Sequence, residues 1–245
     1  MSVIPRPQGP TLLHSSDLHI GDEETTRLGG GNPTLMLEHL LATARSRRAD
    51  VLLLAGDIFE NNRIPGALAD RVGALLAAAG MPVVVLPGNH DPLIAASVWR
   101  RRALYGPDNV HIIGLSRARR IHLAALDLEV WGNPHRDYDD MVPLRTPPRA
   151  RTAYQVAMAH GHFEPVPNRR QSPRPAWLIG AAEIAATGAD YVALGHWNQS
   201  LRVGEGAVAA HYSGSPELTD SANFVRFDAR GRPRVRAVGL GLRGG

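Results

Sequence analysis

Five short apolar runs in this chain each end in a residue able to bind a metal ion. LLHSS leads to Asp17 and His19, VLLLAG to Asp57, VVVLPG to Asn89 and His90, VAMA to His160 and VALG to His196. A carboxylate offers a hard anionic oxygen that can bridge two ions. Neutral imidazoles suit Zn, Fe or Mn, and carboxylates with an amide admit Mn or Mg. Such mixed nitrogen and oxygen donors point to a catalytic centre. Gly56, Gly88 and Gly195 each directly precede one of these residues, where a tight turn must bring the backbone close to an ion. Singly, these Asp and Asn residues are ordinary turn or helix-cap residues; jointly with the histidines they read as a metal site. Glu60 reads as a solvated helix start.

Elements must deliver these residues to one place. Residues 11–15, 51–55 and 82–86 are candidate strands. Between them, residues 34–47 set Leu37, Leu40, Leu41 and Ala44 at helical spacing, and residues 67–79 repeat the pattern with Val72, Leu75 and Leu76. This alternation is that of strands joined by crossover helices in an α/β fold. Loops at the carboxyl ends of parallel strands converge on one edge of the sheet, where open α/β folds build their sites. From about residue 109 the pattern changes to β-like runs at 110–113, 119–124 and 128–132. Residues 154–159 and 191–194 read as buried strands, with a helix over 176–187 between them, and 207–238 as three more strands. Residues 29–33, 143–151 and 165–175 read as irregular and too short for domain linkers. With 245 residues, 44% of them hydrophobic, one domain is expected over residues 1–245.

Composition removes several chemistries. The chain has no cysteine, which excludes disulfides, thiolate zinc sites and a cysteine nucleophile. No G-x-S-x-G, P-loop or G-x-G-x-x-G occurs in a strand-turn-helix context, and Gly29 to Gly31 reads as a loop. No signal peptide or membrane span is legible, so a cytoplasmic location without membrane contact is expected. All 27 basic residues are arginine, against 23 acidic ones, and this small excess carries little weight. Arginines at 100–102, 145–151 and 169–174 suit either a phosphate-tracking surface or solvated loops in an arginine-biased chain. Of Trp177 and Trp197, both near the expected site, Trp197 is the candidate to stack on a base.

Taken in order, DLH from Asp17, GDIFE from Gly56, GNHD from Gly88, His160 and GHW from Gly195 resemble the calcineurin-like metallophosphoesterases. HSSDLHIG, GDIFE, LEVWGNP and YSGSP are most similar to the SbcD-type DNA repair exonucleases. The resemblance implies an α/β/β/α sandwich of two mixed sheets flanked by helices, with metals at one edge. It implies that Asp17 and His19 bind a first ion, that Asp57 bridges, and that Asn89, His160 and His196 bind a second. The ions would be Mn, with Mg, Fe or Zn as alternatives. A pair about 3.5–4 Å apart would activate a bridging hydroxide for in-line attack on phosphorus. His90, free of metal, would stabilise developing charge and protonate the leaving oxygen, with Asp91 orienting its imidazole.

One position departs from the family pattern. Where the family reads GHxH, this chain reads Gly195-His196-Trp197-Asn198. Asn198 would coordinate through its carbonyl oxygen or leave the place to water, and an amide is a poorer donor than imidazole toward first-row metals. His162 and His211 are spare histidines. Three readings follow: a DNA exonuclease or endonuclease; a phosphoesterase for cyclic nucleotides, nucleotides or pyrophosphates; and a scaffold that no longer turns over. The larger nucleases of the group carry a capping region and a helical extension that meets an SMC-like ATPase. Such a partner is not expected for a chain of this length.

Overall fold

Strands buried on both faces need apolar residues at consecutive positions, and the runs of the first half satisfy this. A computed structural model of the chain describes residues 9–115, 120–137, 142–144, 152–228 and 230–242. Strand β1 (Thr11–Ser15) is followed by helices α1 (Glu23–Leu28) and α2 (Leu35–Ser46). Then come β2 (Val51–Ala55), α3 (Gly66–Ala77), β3 (Val83–Leu86), the one-turn α4 (Arg102–Tyr105) and β4 (Val110–Ile112). β1 to β4 pair in parallel through crossover connections.

The second sheet is built from β5 (Arg120–Leu123), β6 (Leu128–Gly132) and β7 (Tyr154–His160), and further on from β10 (Tyr191–Gly195), β11 (Ser200–Val203) and β12 (Ala209–Ser213). Between β7 and β10 lie the short parallel pair β8 (His162–Phe163) and β9 (Leu178–Ile179), then α5 (Ala181–Ala186). After β12 and one-turn α6 (Pro216–Thr219), β13 (Ser221–Phe227) and β14 (Pro233–Gly239) return to the first sheet, β13 antiparallel to β1. The first sheet has the order β14-β13-β1-β2-β3-β4 and the second β11-β12-β10-β7-β6-β5.

Alternation of side chains along each strand makes three cores. Leu13, Leu52, Leu54, Val83 and Val85 face outward onto Leu37, Leu40, Val72 and Leu76 of α2 and α3. Leu12, Val51, Leu53, Val84 and Leu86 face the second sheet and meet Val130, Val156, Met158 and Ala193. Behind the second sheet, Ala157, Val192, Leu194 and Tyr212 are covered by Ile184 of α5, Ile179 and Leu144. The result is two mixed sheets face to face with helices outside. Each fully buried Leu or Val side chain contributes roughly 1.5–3 kcal/mol. Among the described residues no helix is long and apolar enough to cross a membrane.

Three local differences from the sequence expectation have physical causes. The helix expected over 176–187 shortens to α5, because Pro175–Trp177 forms a 3-10 turn and Leu178–Ile179 pair with β8. Gly180 then caps α5, its N–H donating to the Glu183 carboxylate at 2.6 Å. Helix α1 has five polar residues and the single apolar Leu28, hence no apolar periodicity, and three of four β11 residues are exposed, so neither leaves a pattern signal. Most of the irregular segment at 143–151 lies outside the described residues.

Between the sheets, fully buried His14 places Nδ1 2.9 Å from the Tyr191 hydroxyl. Burial, and secondarily His211, lowers its pKa to about 3. With the folded value below the unfolded one, the unfolded chain takes up this proton first as pH falls. Stability is then lost below about pH 6.5, by about 1.4 kcal/mol per pH unit, until the folded group also titrates. Denaturant titrations between about pH 6 and 4 should therefore show a shallower loss, by one proton, in His14→Gln than in the original chain. Equal slopes would refute this.

Candidate metal centre

Pairing between β1 and β2 does not stop where the strands end. Asp17 N–H donates to the Gly56 carbonyl at 3.0 Å, His19 N–H to Asp57 at 3.1 Å and Ile20 N–H to Ile58 at 2.9 Å. Glu60 N–H then returns to the Ile20 carbonyl at 3.1 Å, and Ile20 and Phe59 form a parallel bridge. The two loops are thus zipped together, which sets Asp17, His19, Asp57 and Glu60 at fixed register.

The backbone at these positions is strained. Among the described residues seven non-glycine residues have positive φ, and four of them are Asp17, His19, Asp57 and His196. Such conformations cost on the order of 1–3 kcal/mol each for residues with a Cβ, and they concentrate at functional sites. His196, at φ 105°, lies outside the ordinary left-handed well. Its N–H donates to the Asp17 carboxylate at 3.0 Å, which ties β10 of the second sheet to the end of β1 of the first.

Ligand atoms of Asp17, His19 and Asp57 lie within 4.8 Å of one another, as do those of Asp57, His160 and His196. Asp57 belongs to both groups. Asn89 joins the second group, its Oδ1 3.0 Å from His160 Nε2. His160 is fully buried and donates Nδ1–H to the Ala55 carbonyl at 2.9 Å, so Nε2 is the nitrogen presented to Asp57 Oδ2 at 3.1 Å and to Asn89.

Burial opposes charge on His160, yet the Asp57 carboxylate outweighs it and raises the imidazole pKa to about 9. Burial likewise opposes charge on Asp57, and His160 holds its carboxyl far below the usual range. A positive charge is thus drawn to the point where Asp57, Asn89 and His160 converge. Divalent ions fit this donor set: two carboxylates, an amide oxygen and imidazoles admit Mn, Fe or Zn. His196 is lowered to about 3 by burial and by the neighbouring His160, which keeps it neutral and able to donate a lone pair. Burial raises the Asp17 carboxyl, with His160 partly offsetting it.

His90 is half-exposed, its ring edge-on to His19 with centroids 4.8 Å apart. The expected contact from Asp91 to His90 does not form. Asp91 is fully buried and accepts from the N–H groups of Gly88 at 2.7 Å, Ile58 at 2.9 Å and Phe59 at 3.1 Å. It fastens the loop after β3 to the loop after β2, while burial and then Asp57 raise its pKa to about 6. His90 Nδ1 instead meets Glu60, whose side chain sits in a loop between His19 and His90 and not at a solvated helix start. Glu60 is one residue that sequence reasoning missed. His135 is another: fully buried after β6, it donates Nε2–H to the His160 carbonyl at 2.8 Å. Its signal was its place next to LEVWGNP, at one more strand end.

Trp197 donates Nε1–H to His162 Nδ1 at 3.0 Å and stacks on Tyr212 with centroids 4.8 Å apart. The ring is therefore a packing element for the loop that carries His196. Asn198 beside it is exposed. Of the spare histidines, His162 lies 6.1 Å from His196, ring to ring, whereas His211 stacks on Tyr191. Among the arginine segments, Arg101 is paired with Asp70 and Arg169 with Glu183. Arg174 lies 4.3 Å over Trp177, whose ring is edge-on to His196. Residues 145–151 lie outside the described residues.

Ligand-type side chains at strand ends of two stacked sheets define a class. Residues 10–200 match the sequence profile of the calcineurin-like phosphoesterase family, and the chain belongs to that family; it is a metal-dependent phosphoesterase. Within it, the chain is 29% identical to the D subunit of nuclease SbcCD from Bacillus subtilis (strain 168), over 84% of this chain and 61% of that protein. It is 34% identical to the corresponding nuclease chain of Escherichia coli (strain K12), over 33% of this chain and 21% of that one. The chain thus spans about three-fifths of the Bacillus relative's length. A solved structure, TT1561 of Thermus thermophilus, shares the fold with TM-score 0.62 at 12% identity, covering 95% of this chain and 99% of that one.

Proposed function

We propose that the chain is a two-metal phosphodiester hydrolase of SbcD type that cuts DNA, with Mn as its metal. The observation that supports this best is the sharing of Asp57 between two ligand groups, one built on β1 and β2 and the other reached from β7 and β10. In this reading Asp17 and His19 hold one ion, Asn89, His160 and His196 the other, and Asp57 both; Asn198 stands by the first. Divalent ions supply Lewis acidity there, neutralising phosphate charge and making water nucleophilic at neutral pH. The chain supplies the rest. His90, its Nδ1–H donated to the Glu60 carbonyl at 3.0 Å, would present Nε2–H of its imidazolium form to the leaving oxygen and be left neutral after giving up that proton. Arg174, stacked 4.3 Å over Trp177, whose ring is edge-on to His196, would offer a cation to a neighbouring phosphate of a strand.

Removing a general acid costs typically about 10²–10⁴-fold. His90→Ala is expected to lose DNA cleavage by that factor, measured on labelled single- and double-stranded DNA with Mn beside bis(p-nitrophenyl) phosphate. Cleavage of the small ester alone would replace this reading with a small-molecule phosphoesterase. That second reading is favoured by Arg101 and Arg169, whose guanidinium groups are engaged within the chain.

A further inference from the structure

Glu60 lies between the imidazole of a candidate metal ligand and that of the candidate proton donor. Its Oε2 lies 2.7 Å from His19 Nδ1 and its Oε1 3.3 Å from His90 Nδ1, while its own carbonyl accepts from His90 Nδ1 at 3.0 Å. The three residues bring their ligand atoms within 4.8 Å of one another. We infer that Glu60 is a positioning residue that orients both imidazoles, so that the first metal position and the proton donor are built as one unit.

This rests on the two-metal reading above. An ionised carboxylate and a backbone carbonyl only accept hydrogen bonds. The carboxylate accepts from His19 Nδ1–H and the Glu60 carbonyl from His90 Nδ1–H, so Nδ1 is the donor nitrogen of both rings. Nε2 of His19 is then the lone pair left for an ion held with Asp17 and Asp57, and Nε2 of His90, which carries the second proton of the imidazolium form, is the nitrogen left to donate to substrate. A carboxylate behind a metal-bound imidazole selects the tautomer, restrains the ring and raises its basicity. The position follows from the fold: the zipped loops after β1 and β2, closed by the Ile20–Phe59 bridge, carry residue 60 alongside His19. It also bears on Asn198, since a first site deprived of an imidazole depends more on the basicity of the one it retains.

Removal of a carboxylate behind a metal ligand typically weakens the ion by about 10–100-fold. Mn(II) titration followed by electron paramagnetic resonance tests this on the whole chain without reference to turnover. The original chain should bind two ions, and Glu60→Ala should bind one of them about 10–100-fold more weakly and leave the other unchanged. Glu60→Gln, whose amide oxygen can still accept from His19 but carries no charge, should fall between them, and it carries the test if the alanine variant does not fold. Two ions bound at original affinity in both variants would overturn the inference and leave the metal site standing. No Mn bound by the original chain, or binding unaffected by Asp57→Asn, would overturn the two-metal reading and the inference with it.

Discussion

Asp57→Asn should lower kcat/KM for bis(p-nitrophenyl) phosphate in Mn by about a thousandfold or more, which is about 4 kcal/mol of transition-state stabilisation. Asp57 is shared by both candidate ligand groups, so on the proposed reading its loss removes charge from two metal positions at once. The amide retains the size of the side chain and an oxygen that can accept from His90 N–H, as Asp57 Oδ1 does at 2.8 Å. What it loses is the negative charge beside His160 Nε2, 3.1 Å away. Without that charge, burial governs His160 and its pKa drops from about 9. The fold should survive, because a neutral imidazole tolerates the buried site better than an unpaired charge would. Two measurements on the variant separate these effects: thermal unfolding without metal, and steady-state hydrolysis with Mn. Activity within tenfold of the original would place the reaction elsewhere.

Gly195→Ala should lower Tm by about 6–12 °C or prevent folding, from a cost of about 3 kcal/mol at about 2–4 °C per kcal/mol in a chain of this size. A Cβ at this position would stand 1.9 Å from the Ala55 carbonyl oxygen, 2.7 Å from His160 Nδ1 and 2.8 Å from Ser16 Cβ. Ala55 ends β2 in the first sheet and Gly195 ends β10 in the second. The clash is therefore with backbone of the opposite sheet, and relief requires the sheets to part. That separation would break the His160 bond to Ala55 and the His196 bond to Asp17, the links that bring candidate ligands of the two sheets together. Gly56, at φ 92°, faces the same His160 ring, and a methyl group there would meet Nδ1 at 2.1 Å. Gly239→Ala is the control, since the nearest atom there is 4.0 Å away. A Gly195→Ala variant melting within 2 °C of the original, with activity intact, would show that this edge can open freely.

Much of the framework was legible from residue order. A buried parallel strand is a local object: VLLLA and LEVWG become β2 and β6 residue for residue, because apolar side chains must cover both faces. Helices α2 and α3 fall within a residue or two of the spans expected from their apolar spacing. The ligand-type residues were legible for the same reason, since each follows such a run. Segments whose structure depends on a distant partner were not. β11 exists because β12 offers it an edge, and β9 because β8 does.

Residue order was enough to set the class of chemistry, through Asp, His and Asn placed after strands, and through the absence of cysteine and of nucleophile motifs. It was also enough to bring these residues to one edge of the strands. The partnerships within that edge came from the folded chain alone. Asp91 adjoins His90 in the chain, yet it turns to three backbone N–H groups. Glu60, 30 residues from His90 and 41 from His19, reaches both. Trp197 is occupied by Tyr212 and His162. The physical reason is that an apolar run encodes a strand through local burial, whereas a polar side chain takes the nearest unsatisfied partner. Which partner is nearest depends on strand register and on how closely the two sheets approach at Gly195, neither of which is a local property of the chain.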